Sequence, residues 1–68
     1  MRITVNGRHT EVGAHVELGA LLARFDVAPD TRGVAVAVNQ SVVPRREWPS
    51  RRLTDGDVVE IVRAVQGG

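Results

Sequence analysis

Sixty-eight residues make one domain, and without a cysteine they exclude a disulfide framework and a thiolate metal site. All nine basic residues are arginine, set against eight acidic ones for a formal net charge of +1, so the sequence pI of 9.1 overstates a basic character too weak to suggest a nucleic-acid surface. No apolar run approaches the roughly 20 residues that span a bilayer, and no charged-then-apolar leader opens the chain; one soluble, cytoplasmic domain over residues 1–68, with no membrane partner, is the expectation.

Met1 to Asn6 alternates, with Met1, Ile3 and Val5 on one face and Arg2, Thr4 and Asn6 on the other, which reads as a half-buried strand. Asn6-Gly7 is a strong hairpin signal because both residues tolerate positive φ. Arg8 to Val12 is then the return strand, broken at Gly13. Leu18, Leu21, Leu22 and Phe25 fall at i, i+3, i+4 and i+7, the spacing of one apolar helical face. Glu17 stands where the helix macrodipole favours a carboxylate, so a helix is expected over about residues 17–25.

Asp26 to Gly33, with Pro29 inside it, reads as a loop. In Val34 to Val38, valines alternate with Ala35 and Ala37. Gln40-Ser41 can turn the chain into a short Val42-Val43 strand, stopped by Pro44, which has no backbone donor. Arg45 to Pro49 can hold one helical turn around Trp48, Thr54 to Asp57 is a turn, and Val58 to Val65 is the last strand. Strand, strand, helix, strand, short strand, strand is a two-layer α+β order. The helix supplies the crossover that lets the first and last strands run parallel in the middle of a mixed sheet. The expected core is Ile3, Val5, Leu18, Leu21, Leu22, Phe25, Val36, Val38, Val59 and Ile61.

If Val36, Val38, Val59 and Ile61 point inward, then Ala35, Ala37, Glu60, Val62 and Ala64 point outward. With Val65 they form a shallow, largely apolar face beside the C-terminal residues, and such faces commonly mark protein contacts. The run closes on Gln66, Gly67 and Gly68. Bare glycine backbone is thin enough to thread a narrow channel, so residues 66–68 read as a flexible tail that delivers the Gly68 carboxylate to a partner. A frayed end is the plainer alternative.

Other constellations are weak. His9 and His15 are the only histidines and cannot make a metal set by themselves. Asp55-Gly56-Asp57 lacks the oxygen ligands of a calcium loop, and Ser41 and Ser50 have no histidine and carboxylate near them in sequence. Arg45, Arg46, Arg51 and Arg52 bracket Trp48, but Glu47 and Asp55 dilute them. They read as a solvated face with Trp48 closing one end of the core rather than as a nucleic-acid site. No catalytic residue and no metal site is expected.

Val36-Ala37-Val38-Asn39-Gln40, then Val42-Val43-Pro44-Arg45 and Trp48, then Leu53, Asp55-Gly56-Asp57 and the terminal Gly67-Gly68 resemble the ThiS family. Its members are sulfur carriers of thiamin thiazole biosynthesis with the β-grasp, or ubiquitin-like, fold. The resemblance covers essentially the whole chain, although Gln66 stands where a small residue is common. It implies an α+β mixed sheet with one main helix packed on one face. It also implies a carrier rather than an enzyme, with no cofactor bound. A ThiF-type enzyme would adenylate Gly68 with ATP, a cysteine desulfurase relay would supply sulfur, and a ThiG-type thiazole synthase would consume it. The same chemistry in molybdopterin or cysteine biosynthesis, and a non-covalent β-grasp binding module, are the alternatives. A coding bias toward arginine is the simpler account of the absence of lysine; a functional one is that a chain whose carboxyl becomes an acylating group gains by having no amine to trap it.

Overall fold

A computed structural model of the chain describes residues 1–64. Strand β1 (Arg2–Val5) turns at Asn6-Gly7 into β2 (Arg8–Glu11), followed by helix α1 (Leu18–Ala23), β3 (Val34–Val38), β4 (Ser41–Val42), a 3₁₀ turn (Arg45–Glu47) and β5 (Val58–Arg63). The sheet order is β2-β1-β5-β3-β4. β1 and β5 run parallel at its centre and the other pairs are antiparallel. The element order, the central parallel pair and the turn around Trp48 are those the sequence leads one to expect.

Both hairpins are two-residue turns made by left-handed residues, Asn6 and Gly7 at φ 49° and 83°, Asn39 and Gln40 at 51° and 71°. That geometry matches strand twist and is tolerated by asparagine and glycine. It also corrects one expectation. The second turn is Asn39-Gln40, not Gln40-Ser41, because Val38 pairs with Ser41 and Ala37 with Val42. Ser41 therefore begins β4, and Val43 leaves the strand to become buried core.

The two turn asparagines also hold β5. Asn6 Oδ1 accepts from Ile61 N at 2.7 Å and its amide donates to Ile61 O at 3.2 Å. Asn39 Oδ1 accepts from Val58 N at 2.9 Å, and its amide donates to Asp57 Oδ1 at 2.9 Å. Each side chain extends the ladder past a place where backbone pairing stops.

Helix α1 has only six residues, shorter than expected at both ends. Its first two N–H groups are satisfied by chain from another element: Leu18 donates to Arg51 O at 2.7 Å and Gly19 to Trp48 O at 2.8 Å. A Cβ on Gly19 would stand 3.3 Å from Trp48 O and 3.4 Å from Pro49 Cα, so glycine permits this close approach. At the other end Val27 N reaches back to Leu22 O and Asp26 N to Ala23 O, with Asp26 left-handed at φ 62°. This is the Schellman arrangement, with aspartate in the place glycine usually takes. The consequence is that Val27 enters the core and Phe25 is turned outward, 37% exposed; the expected burial of Phe25 is wrong.

The rest of the expected core is where the periodicity puts it. Ile3, Val5, Leu18, Leu21, Leu22, Val36, Val38 and Val59 are buried, joined by Val27, Val43, Trp48 and Leu53, with Ile61 packed against them. Trp48 Nε1 donates to Val43 O at 3.1 Å, which satisfies the one polar atom of a buried indole.

Candidate functional site

One side of the sheet is covered by α1 and the Trp48 segment, and the other is open. Paired residues share a face. The register opposes Ala35 to Val62 and Ala37 to both Glu60 and Val42, so these five side chains lie together on the open side. Val62 is 61% exposed and Val42 73%, while Val58, two residues before Glu60, is 41% exposed beside Thr4. Small alanines on β3 leave the valines of β4 and β5 standing proud of the sheet. Ala64, the last described residue, is exposed and donates its N–H to Gly33 O at 2.6 Å.

Of the expected contact residues, the fold thus brings Ala35, Ala37 and Val62 onto one face, with Ala64 at its end. Val65 and the tail residues Gln66, Gly67 and Gly68 lie outside the described residues. Sequence reasoning missed Val42 and Val58. The signal was available in Asn39-Gln40: a two-residue turn there sets Val42 directly opposite Ala37.

The remaining features are structural. Arg45 is no free surface cation. It stacks 4.5 Å from the Trp48 ring centroid and donates to Pro29 O at 2.8 Å and Val34 O at 3.4 Å, tying the 24–33 loop to the core. Trp48 is buried and offers no ring for a base to stack on. Arg63 similarly donates to Phe25 O at 2.7 Å on the helix side.

Asp57 is the buried charged residue. Burial pushes its carboxyl up, but Thr54 N, Asn39 Nδ2 and Thr54 Oγ1 donate to it and Arg51 adds positive charge, and together these hold it below its ordinary value of 3.8. It ties the Thr54–Asp57 turn to the Asn39 turn. A groove of about 270 Å³ beside α1, lined by Gly19, Leu22, Val27, Trp48 and Pro49, has Glu17 at its margin as the one charged side chain of its lining. Among the described residues no three metal-ligating side chains come together, and no helix is long and apolar enough to cross a membrane. His9 and His15 are exposed.

The comparisons with known proteins agree with this geometry. The chain is 31% identical to the sulfur carrier protein ThiS of Escherichia coli over 68 residues, the whole of both chains. It is 35% identical over its full length to part of a thiazole synthase of Paramagnetospirillum magneticum, and spans about a fifth of that relative. The crystal structure of ThiS from Geobacter metallireducens superimposes with a TM-score of 0.81 at 31% identity, covering all of both chains. The mixed five-stranded sheet with one helix is thus a β-grasp fold. The family model for ThiS matches residues 1–68, and the chain belongs to the ThiS family.

Proposed function

We propose that this chain is a sulfur carrier of thiamin thiazole biosynthesis, a protein substrate rather than an enzyme, whose reacting group is the Gly68 carboxylate. The observation that carries the reading is the end-to-end match with the E. coli sulfur carrier protein ThiS. The chemistry explains why activation is needed. An α-carboxyl with a pKa of about 3.3–3.7 is ionised at neutral pH and inert to nucleophiles. A ThiF-type enzyme lets this carboxylate attack the α-phosphorus of ATP and expels pyrophosphate. The mixed anhydride now has a leaving group, AMP, which the terminal sulfur of a persulfide on a cysteine desulfurase relay displaces, and a second thiol reduces the acyl disulfide so formed, leaving the thiocarboxylate on the carrier and a disulfide on the relay. The resulting thiocarboxylate is a soft nucleophile that stays ionised and attached until a ThiG-type thiazole synthase takes the sulfur.

The open sheet face is the docking surface. Val62, with Ala35, Ala37 and Ala64 around it and Val65 following in sequence, contacts the adenylating enzyme and the thiazole synthase on overlapping areas. The support is position: an exposed apolar strip runs along β5, and Gly67 and Gly68 follow that strand closely in sequence. The tail is tested by deleting Gly68, which shortens its reach by about 3.3–3.6 Å, and by Gly67→Val, which adds a branched side chain where a narrow channel admits bare backbone. Both changes should abolish ATP–pyrophosphate exchange with the adenylating enzyme while leaving the melting midpoint alone. Exchange that survives the deletion would remove Gly68 from the chemistry.

A further inference from the structure

The open face contains one charge that the fold does not use. Glu60 is exposed on the central strand β5. Across the sheet it faces Ala37, with Val42 beyond, and along its own strand Val58 and Val62 flank it on the same side. Among the described residues no cation pairs with it: the salt bridge found there joins Arg2 to Glu11 at 2.9 Å. The guanidinium of Arg63 is turned to the helix side, and Val65, Gln66, Gly67 and Gly68 carry no basic side chain. Glu60 is therefore a carboxylate without a cation among the described residues, with alanine and valine on its β3 side and along β5 and the Asn6 turn on its β1 side, while the Arg2–Glu11 pair lies farther along the same face.

In the free protein water solvates this carboxylate. Beneath a docked partner that water leaves, and an unpaired carboxylate then opposes association unless the partner supplies a positive charge. A face of small apolar side chains around one carboxylate is complementary to an apolar patch carrying one cation.

We propose that Glu60 determines the specificity of the open face by receiving an arginine or lysine of the thiazole synthase within the docked interface. This rests on the reading of that face as a docking surface. The occupant is taken to be the synthase because a segment resembling this whole chain is part of the Paramagnetospirillum thiazole synthase polypeptide, where linkage holds the two surfaces at high effective concentration. The adenylating enzyme is the competing occupant.

The experiment measures the affinity of the full-length carrier for purified thiazole synthase, and separately for the adenylating enzyme, across a salt series. Glu60→Lys should weaken the synthase complex at least about tenfold, and the near-isosteric Glu60→Gln by about three- to tenfold with a flatter salt dependence. The exposed position lets both variants keep the wild-type melting midpoint; should the lysine variant fold poorly, the glutamine variant decides. A larger loss with the synthase than with the adenylating enzyme supports the proposal, and equal losses with both overturn a role of Glu60 in choosing between them. A Glu60→Lys carrier that binds the synthase with wild-type affinity and salt dependence overturns it, as does a loss confined to the adenylating enzyme. Val62→Asp separates the two levels. If it weakens synthase binding while Glu60→Lys does not, only the role of Glu60 fails. If both variants bind as wild type, the docking face fails with it.

Discussion

The two faces of the sheet are built from the same strands but differ in what covers them. On the helix side, Val36, Val38 and Val59 meet Leu18, Leu21 and Leu22 in a closed core. On the open side, the alternate positions of β3 and β5 hold Ala35, Ala37, Glu60 and Val62, and no other element of the described chain covers them. In a chain of this size a single core rarely supplies more than about 3–5 kcal/mol of net stability, so exposing several valines is a real sacrifice of burial. The difference teaches that buried and exposed positions alternate along the same strands, so that, on the proposed docking role, stability and contact fall to alternate residues. Changes on one face should act on folding and changes on the other on association.

The sharpest way to break this division is through the closed face. Leu22→Ala should cost about 2–5 kcal/mol and leave much of the domain unfolded, as read by urea or thermal denaturation. An unchanged midpoint would show that the helix side is not what holds the fold.

Next in size is the polar knot at the edge of the core. Asp57→Ala strips an acceptor from Thr54 N, Thr54 Oγ1 and Asn39 Nδ2 and should cost about 1–3 kcal/mol at neutral pH. The folded-state pKa of Asp57 is lowered, so its contribution is complete above the ordinary value near 3.8 and is lost as pH falls through the folded-state pKa. The gap between wild type and Asp57→Ala should therefore narrow on acidification below about pH 4. A gap that stays constant down to the acid transition would mean that the carboxylate charge is not what these donors hold.

Phe25 sharpens the boundary between the two regions. With the ring 37% exposed, Phe25→Ala should cost well under the roughly 3–5 kcal/mol of a fully buried phenylalanine, and Val27→Ala should cost more than it does. The reverse order would restore the simple helical reading. The smallest expected effect on folding is Val62→Asp, within about 0.5 kcal/mol of wild type because the site is exposed, although both partner complexes should weaken. Calorimetry on the free protein and titration with each partner check the two halves separately.

Most of this architecture was legible in the residues because period and turn chemistry agree. Ile3 and Val5, the leucine set and Asn6-Gly7 each specify one local outcome, and their order leaves few ways to close a sheet. The errors fell where a residue took a conformation that its type only sometimes adopts. Asp26 in the left-handed region ended α1 early and exchanged Phe25 for Val27. Gln40 in the same region moved the turn by one residue, which shifts the pairing register by two and sets Val42 opposite Ala37 rather than Asn39. The second role of Asn6 and Asn39, as clamps on β5, depends on partners 55 and 19 residues away, and no local pattern signals such a distance.

The central claim, that the carboxyl of Gly68 carries sulfur, is tested most directly by the intact mass of the protein isolated from cells growing without thiamin. A thiocarboxylate replaces one terminal oxygen by sulfur, so a species about 16 Da heavier than the sequence mass should appear. It should be absent when Gly68 is deleted or when the adenylating enzyme is missing. A single species at the unmodified mass under thiamin limitation, with the adenylating enzyme and a sulfur source present, would contradict the account and leave a non-covalent binding module in its place.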